Sequence, residues 1–326
     1  GNNLILTLDV RIQEELEKIM TATAEQNMNG SAVVMKVQTG EIIAIVSKPS
    51  FDPNKFAAGI SPLSWNELVT DEWHPLQNRS IHGQYPPGST YKIITALAGL
   101  EEGVIKPDTS IYCPGYFKLG RGRYRCWKKS GHGAVNLHDA LVQSCDVYFY
   151  TIGHRLGIDT IAKYAKRFGL GSPTRLGLSR EKNGLVPTTQ WKLLNKKEPW
   201  QLGETISASI GQGYNLVTPI QQAIMMAAVA NGGILLKPYL VKRIEDPERQ
   251  TQKEFHPEIT GQIGVNPDHL EQVREALRDV VNGAKGTGKK SRLKNIIVSG
   301  KTGTAQVVRM KSNEELEKDE VIPVKY

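Results

Sequence analysis

Ser89 and Lys92 place a hydroxyl and an amine three residues apart within Pro86-Pro87-Gly88-Ser89-Thr90-Tyr91-Lys92. Two prolines and a glycine end a loop there, and the run Ile93 to Leu100 that follows is apolar nearly all round. A run of that kind predicts a buried helix. Ser89 at its start would meet the helix dipole and free backbone N–H groups, which favour developing negative charge. Lys92 shares its helix face. A serine becomes a nucleophile when a base takes its proton, and a lysine serves if burial or cationic neighbours lower its pKa. Four-residue matches are common by chance, and a helix-capping serine beside a solvated lysine is the plainer reading of this string alone.

Two further strings carry similar chemistry. Ser144-Cys145-Asp146 lies inside Leu141 to Tyr150, where the plain alternative is a buried helix start with a polar cap. Val298-Ser299-Gly300-Lys301-Thr302-Gly303-Thr304-Ala305 reads as a strand with glycine at its centre, a sign that another backbone approaches closely, with Lys301 adding positive charge there. A phosphate loop is excluded. From Gly283 the pattern G-x-x-x-x-G-K puts Lys290 where Ser or Thr is required, and before Lys301-Thr302 the first glycine position is Asn295.

The three cysteines and one histidine form a fourth constellation, Cys113, Cys126, His132 and Cys145, spaced C-x12-C-x5-H-x12-C. Three thiolates and an imidazole complete a tetrahedral shell with no open position, which would make zinc structural rather than catalytic. Three buried thiols, or one disulfide and an odd cysteine, are the alternatives. The spacings are not those of a zinc finger. The stretch Gly120 to Gly133 has few apolar residues to fold around, and a metal could pin it.

The elements that must position these groups follow from pattern. With 326 residues, 39% hydrophobic and 23% charged, the chain is globular and of one large or two ordinary domains. Thr7-Leu8-Asp9 starts a capped amphipathic helix, and Ser31 to Val37 with Glu41 to Val46 predict a hairpin about Gln38-Thr39-Gly40. Lys48 to Gly88 reads as a long loop region. Ser89 to about Gly283 reads as mostly helical, broken by a Gly-, Lys- and Arg-rich loop between Cys113 and Gly133, and Asn295 to Val308 returns to strand. The sum is an α/β fold: an antiparallel sheet flanked by helices, with a helical subdomain over roughly 93–290. Ile220 to Leu236 is interrupted by Gln221, Gln222 and Asn231, so it predicts a buried helix rather than a membrane span. No basic-then-apolar leader pattern opens the sequence, and this piece is expected to be water-soluble. The net charge of +8 has its densest run at Lys285 to Lys294, without interleaved aromatics. That composition excludes a nucleic-acid module and leaves a solvated loop, or an anionic substrate or membrane surface, as the reading.

Taken in order, Ser89-x-x-Lys92, Ser144-x-Asp146 and Lys301-Thr302-Gly303 resemble the active-site set of the penicillin-binding proteins and serine β-lactamases. Asn78 to Ile81, Gly83 to Ser89, Ser209-Ile210-Gly211-Gln212-Gly213, Val217-Thr218-Pro219 and Leu6 to Asp9 resemble the transpeptidase domain of class B penicillin-binding proteins. Ser144 to Tyr150 and Trp127 to Gly133 are similar to the elongation-specific penicillin-binding protein 2 branch, whereas division-type relatives usually carry Asn where this chain has Asp146.

The resemblance implies a peptidoglycan D,D-transpeptidase of cell elongation, with residues 1–326 forming the transpeptidase domain. Ser89 would attack a stem peptide ending in D-Ala-D-Ala, Lys92 would take its proton, and Ser144 would relay a proton to the leaving amine. Asp146 would bond Lys92 and the substrate amide, and Lys301 with Thr302, Gly303 and Thr304 would hold the terminal carboxylate. The amides of Ser89 and Thr304 would bind the oxyanion. β-Lactams would stop the reaction at the acyl stage. Some elongation-type relatives resemble the Cys113, Cys126, His132, Cys145 arrangement, with Asp replacing one or more ligands, which supports one structural zinc ion. Expected partners are a membrane glycosyltransferase and other elongation-complex proteins. The expected place is the periplasmic face of the inner membrane, held by an N-terminal anchor outside this sequence. The family's last two strands and C-terminal helix are expected beyond Tyr326, so this piece alone is expected to be inactive or poorly folded. A β-lactamase, a penicillin sensor or an idle cell-wall scaffold would share the three strings.

Overall fold

The β-rich runs near the N-terminus pair as their alternation predicts. In the computed structural model, which describes residues 1–24, 29–57 and 59–304, Gly30–Met35 runs antiparallel to Ile42–Lys48. Alternation turns Ile42, Ala44 and Val46 inward to near-complete burial. Helix Val10–Ala24 begins just after Asp9, whose side chain accepts from the Arg11 amide. Its Gln13 side chain exchanges two hydrogen bonds with the backbone of Ile45, filling a place that a further strand would take.

The chain divides into two compact units. The first comprises Gly1–Tyr85, Ala162–Val186 and Leu216–Arg274. Besides the hairpin it holds a three-stranded antiparallel sheet, Asn3–Leu6 beside Val241–Glu245 beside Thr251–Glu254, and a ladder of Ile234–Leu236 with Ile259–Gln262. Its core gathers Ile42, Ile81, Leu176, Ile220 and Ile224. Helix Pro219–Ala230 is buried, as its apolar composition requires, and a reciprocal cap between Thr218 and Gln221 starts it. It ends at Ala230, before strand Ile234–Leu236. No helix among the described residues is long and apolar enough to cross a membrane.

The second unit comprises Pro86–Ile161, Pro187–Asn215 and Glu275–Tyr326, the last described as far as Thr304. A tight turn, Gly88–Tyr91, leads into helix Lys92–Glu101, of which every residue through Leu100 is buried. Helix Asp146–Leu156 crosses it, and Gly153 lets Ser209 approach so closely that no side chain would fit between them. Ile93, Ile94, Leu97, Phe149 and Ile152 form the common core.

Four expectations change. The region 113–133 is not a loop: Ile111–Cys113 pairs with Gly133–Val135, and Tyr116–Leu119 with Gly122–Arg125. The stretch 93–290 is helical only in part, because four strands occupy 234–262. The loop region 48–88 contains helices Asn54–Ala57, Pro62–Thr70 and Arg79–His82. Residues 295–304 form no strand, since no strand lies beside them among the described residues to complete a ladder; 305–308 lie outside the described residues. The sheet component is accordingly a set of short antiparallel ladders rather than one continuous sheet.

Candidate active site

The turn that carries Ser89 is shaped by two glycines. Gly88 has φ of +57°, and a side chain there would run into the main chain of Thr304, 2.7 Å from its carbonyl oxygen. Gly211, also at positive φ, presses on Gly88 from the other side, and its carbonyl accepts the Gly88 amide at 2.9 Å. Only glycine fits both places. Ser89 follows, half-buried, and its hydroxyl makes no hydrogen bond among the described residues.

Lys92 is the first residue of the buried helix and is fully inaccessible. Its Nζ donates to Asp146 Oδ1 at 2.7 Å, to the Ser144 carbonyl at 3.0 Å and to Ser144 Oγ at 3.1 Å. An ammonium has three N–H groups, and these contacts use all of them. The Phe149 ring lies 5.5 Å from the nitrogen. A charge so buried persists only when paired, and Asp146 provides the pair.

Ser144 has φ of +54°, a conformation unusual for a residue with a side chain. The bend aims its hydroxyl between two amines, Lys92 Nζ at 3.1 Å and Lys301 Nζ at 3.0 Å. Asp146 opens the next helix, where the dipole favours a carboxylate. Its second oxygen accepts the Trp127 amide at 2.9 Å, and the Trp127 indole N–H donates to the carbonyls of Ser144 and Gln143. Trp127 therefore fixes both residues of the second string, yet its ring is 60% exposed. Sequence reading quoted Trp127 within a motif and gave it no role.

Lys301 meets the same hydroxyl from the third string. Burial pushes its amine down to about 7, the charge of Lys92 adds to that, and Asp146 opposes it. Thr302 Oγ1 shares a hydrogen bond with Thr287 Oγ1, Gly303 lies against Pro87 and Thr90, and Thr304 accepts from Gln212 Nε2 at 3.2 Å. The predicted residues of all three strings thus converge in one unit. Gly211 and Gln212 join them unassigned, since their part is visible only once Gly88 and Thr304 are neighbours. The arrangement can pass protons along amine, hydroxyl and amine, and two amines against one carboxylate make it a receptor for an anion.

The fourth constellation also assembles. The ligand atoms of Cys113, Cys126, His132 and Cys145 lie within 4.8 Å of one another, and the three cysteines are free thiols. Pairing of Cys113 with Gly133 brings His132 alongside, with Nδ1 3.6 Å from Cys113 Sγ and 3.5 Å from Cys126 Sγ. A hydrogen bond from Cys145 draws the Cys126 thiol down to about 5 and pushes the Cys145 thiol up. Three convergent sulfurs and one ring nitrogen fit the donor set of a closed zinc site.

Residues 30–322 match the family model described as penicillin binding protein transpeptidase domain. The peptidoglycan D,D-transpeptidase MrdA of Acinetobacter baumannii is 39% identical over 309 residues, covering 94% of this chain and 45% of that protein. MrdA of Escherichia coli K12 is 36% identical over 318 residues, covering 96% and 49%. Among solved structures, Pseudomonas aeruginosa PBP2 in complex with WCK 5153 superposes with a TM-score of 0.82 at 38% identity, over 94% of this chain and 68% of that one. Helicobacter pylori PBP2, in a complex with MreC, gives 0.83 at 34% identity, over 93% and 55%. The chain spans about half the length of the curated relatives it matches.

Proposed function

The chain belongs to the penicillin-binding protein transpeptidase family, and from that premise we propose that it is the acyl-transfer domain of a peptidoglycan D,D-transpeptidase of cell elongation. The observation that carries this reading is the Ser144 hydroxyl suspended between Lys92 and Lys301, in the unit where Thr304 abuts the Ser89 turn.

Ser89 attacks the penultimate D-Ala carbonyl of a stem peptide ending in D-Ala-D-Ala. Its proton must move as the bond forms. Lys92 has all three N–H groups engaged, so it accepts that proton only by passing one to Ser144 Oγ. Lys301, drawn down to about 7, is the amine able to receive the next. The oxyanion is met by the amides of Ser89 and Thr304, a contribution typically of ~3–4 kcal/mol per donor. On collapse the proton returns through Ser144 to the departing D-Ala amine, and an amine of a neighbouring strand resolves the acyl-enzyme. Asp146 holds Lys92 and reads the substrate amide. Lys301, Thr302, Gly303 and Thr304 receive the terminal carboxylate, which would be costly to bury unpaired. β-Lactams enter as D-Ala-D-Ala mimics and remain on Ser89.

Cys113, Cys126, His132 and Cys145 would hold one zinc ion. The metal contributes folding energy only, tying the loop that carries Trp127 to the segment that carries Ser144 and Asp146. The whole protein would act at the periplasmic face of the inner membrane, beside a membrane glycosyltransferase and a partner such as the MreC seen in complex with the Helicobacter pylori relative.

The test is intact mass after incubation of the full-length protein with a penicillin, followed over hours. A stable adduct, lost in Ser89→Ala while the melting temperature holds, is expected. A transient adduct would mean a β-lactamase, and none a scaffold.

A further inference from the structure

One strongly charged surface of the second unit takes no part in this mechanism. Between Thr109 and His138 there is no Asp or Glu, while Lys118, Arg121, Arg123, Arg125, Lys128 and Lys129 all fall there. All six are exposed, and none forms an ion pair among the described residues. Some cations elsewhere find carboxylates, as Lys36 does with Glu41, Lys48 with Glu17 and Lys237 with Glu258.

The hairpin Tyr116–Leu119 with Gly122–Arg125 concentrates them. Register sets Lys118 directly opposite Arg123 and Tyr116 opposite Arg125, so three cations share one face. Like charges directly opposite destabilise a ladder. The other face is apolar and turned inward: Phe117 and Tyr124 pack on Tyr150, whose hydroxyl donates to the Arg125 carbonyl. The Arg123 guanidinium lies over Tyr116, its carbon 3.7 Å from the ring centre, a cation–π contact that favours this position. An array of cations that repel one another, with no acid among the described residues to relieve them, is built for an anion from outside.

Position selects which anion. Two residues past Arg125, a reach of at most ~7 Å, Trp127 donates to Asp146 and Ser144. A peptide anchored at the catalytic groups would have this hairpin within reach. An anionic membrane is the poorer fit, because the hairpin tip is Leu119-Gly120-Arg121-Gly122 with Leu119 half-buried, Phe117 and Tyr124 pack on Tyr150, and the Tyr116 ring is taken by Arg123 rather than left for lipid.

We infer that the cationic face of hairpin 116–125, extended by Lys128 and Lys129, is a docking surface for the carboxylate-bearing part of the peptide strand on which this domain acts. The inference rests on the transpeptidase reading and deepens it. Docking of this kind raises encounter rate and is screened by salt.

The test uses the full-length protein and two D-Ala-D-Ala-ended peptides, one with three free internal carboxylates and one with those groups amidated. Wild type should turn over the acidic peptide about tenfold faster in kcat/KM at low salt, a typical steering effect. The preference should fade as salt rises. Lys118→Gln/Arg121→Gln/Arg123→Gln/Arg125→Gln should erase it while penicillin acylation stays within about twofold. If that variant loses acylation through misfolding, Lys128→Gln/Lys129→Gln and the wild-type salt series carry the test. Equal use of both peptides by wild type, or an unchanged preference in the variants, would overturn the docking surface. Binding to phosphatidylglycerol vesicles that disappears in the variants, with no peptide preference, would assign the face to membrane. Anisotropy with the labelled acidic peptide separates the two readings: binding without any penicillin adduct keeps the surface and removes the transpeptidase.

Discussion

The two sides of the site are held by different forces. Lys92 and Asp146 open helices Lys92–Glu101 and Asp146–Leu156, whose apolar residues are buried almost without exception, and Ser144 lies in the turn just before the second. Burial of each large side chain contributes about 1.5–3 kcal/mol. Residues 295–304, which carry Lys301, expose Ile296 by 63% and Ile297 by 66%. Individual hydrogen bonds tether that segment: Asn282 to Val298, Gly300 to Leu277, Gln212 to Thr304 and Lys301 to Ser144. Such bonds contribute about 1 kcal/mol each. The Lys92–Asp146 pair is thus part of the core, whereas the Lys301 amine, proposed to meet the substrate carboxylate, sits on a side that opens at low free energy.

The sharpest way to break this contrast is to delete one amine from each side. Lys92→Ala should slow penicillin acylation by roughly 100-fold or more, the usual weight of a positioned base. It should also destabilise the domain by about 3–5 kcal/mol, because Asp146 is left buried and unpaired. Lys301→Ala should slow acylation as well, yet not lower the melting temperature, because it also removes the cost of burying that amine. Equal melting losses in the two variants would show that both sides belong to one packed unit.

Metal removal tests a third fastening. Protein purified without added zinc should contain one zinc per chain. Chelation should lower the melting temperature and slow acylation several-fold, although the metal touches no substrate. A Cys113–Cys126 disulfide, or three freely titrating thiols in metal-free protein, would exclude the site.

The pH profile sharpens the contrast further. Lys301 faces Lys92, Asp146 and the Ser144 hydroxyl, and its folded value of about 7 lies below the ordinary 10.5. Acylation should rise through a midpoint near pH 7 as that amine becomes able to accept a proton, and Lys301→Arg should abolish this limb. The stability effect has a definite sign. Between about 7 and 10.5 the unfolded chain binds the extra proton, so folding stability should increase with pH across that window, and Lys301→Met should flatten the slope.

The smallest expected effect is that of Trp127→Phe. It removes the indole N–H bonds to Ser144 and Gln143 but keeps the backbone bond to Asp146. Loss of about 1 kcal/mol of positioning predicts acylation slower by roughly fivefold. An unchanged rate would mean that Asp146 alone holds the second string.

Much of the site was legible in the sequence because its chemistry is local. Ser89 and Lys92 share one turn, Ser144 and Asp146 flank one cysteine, and three cysteines with a histidine are countable by eye. What escaped depends on partners far along the chain. Strand Thr251–Glu254 reads TQKE, with no apolar residue to mark it, and exists because Val241–Glu245 is beside it. Asn3–Leu6 pairs with that same distant strand. The short ladders within 111–135 were hidden by glycine and arginine, which suit a loop equally well. Residues 295–304 have strand composition and no strand neighbour among the described residues, so composition alone misleads there. Trp127 acquires its role only when the fold lays it across Asp146.

The left-handed backbone of Ser144 sets stability and activity against each other at a single codon. Glycine would relax that conformation, which costs a residue with a side chain of order 1–2 kcal/mol. It would also remove the hydroxyl that both amines grip. Selection for thermal tolerance alone would weigh only the relaxed backbone against the bonds lost by Lys92 and Lys301, whereas selection for activity would require the serine. Where relaxation wins, a library sorted on heat resistance would enrich folded, catalytically silent protein.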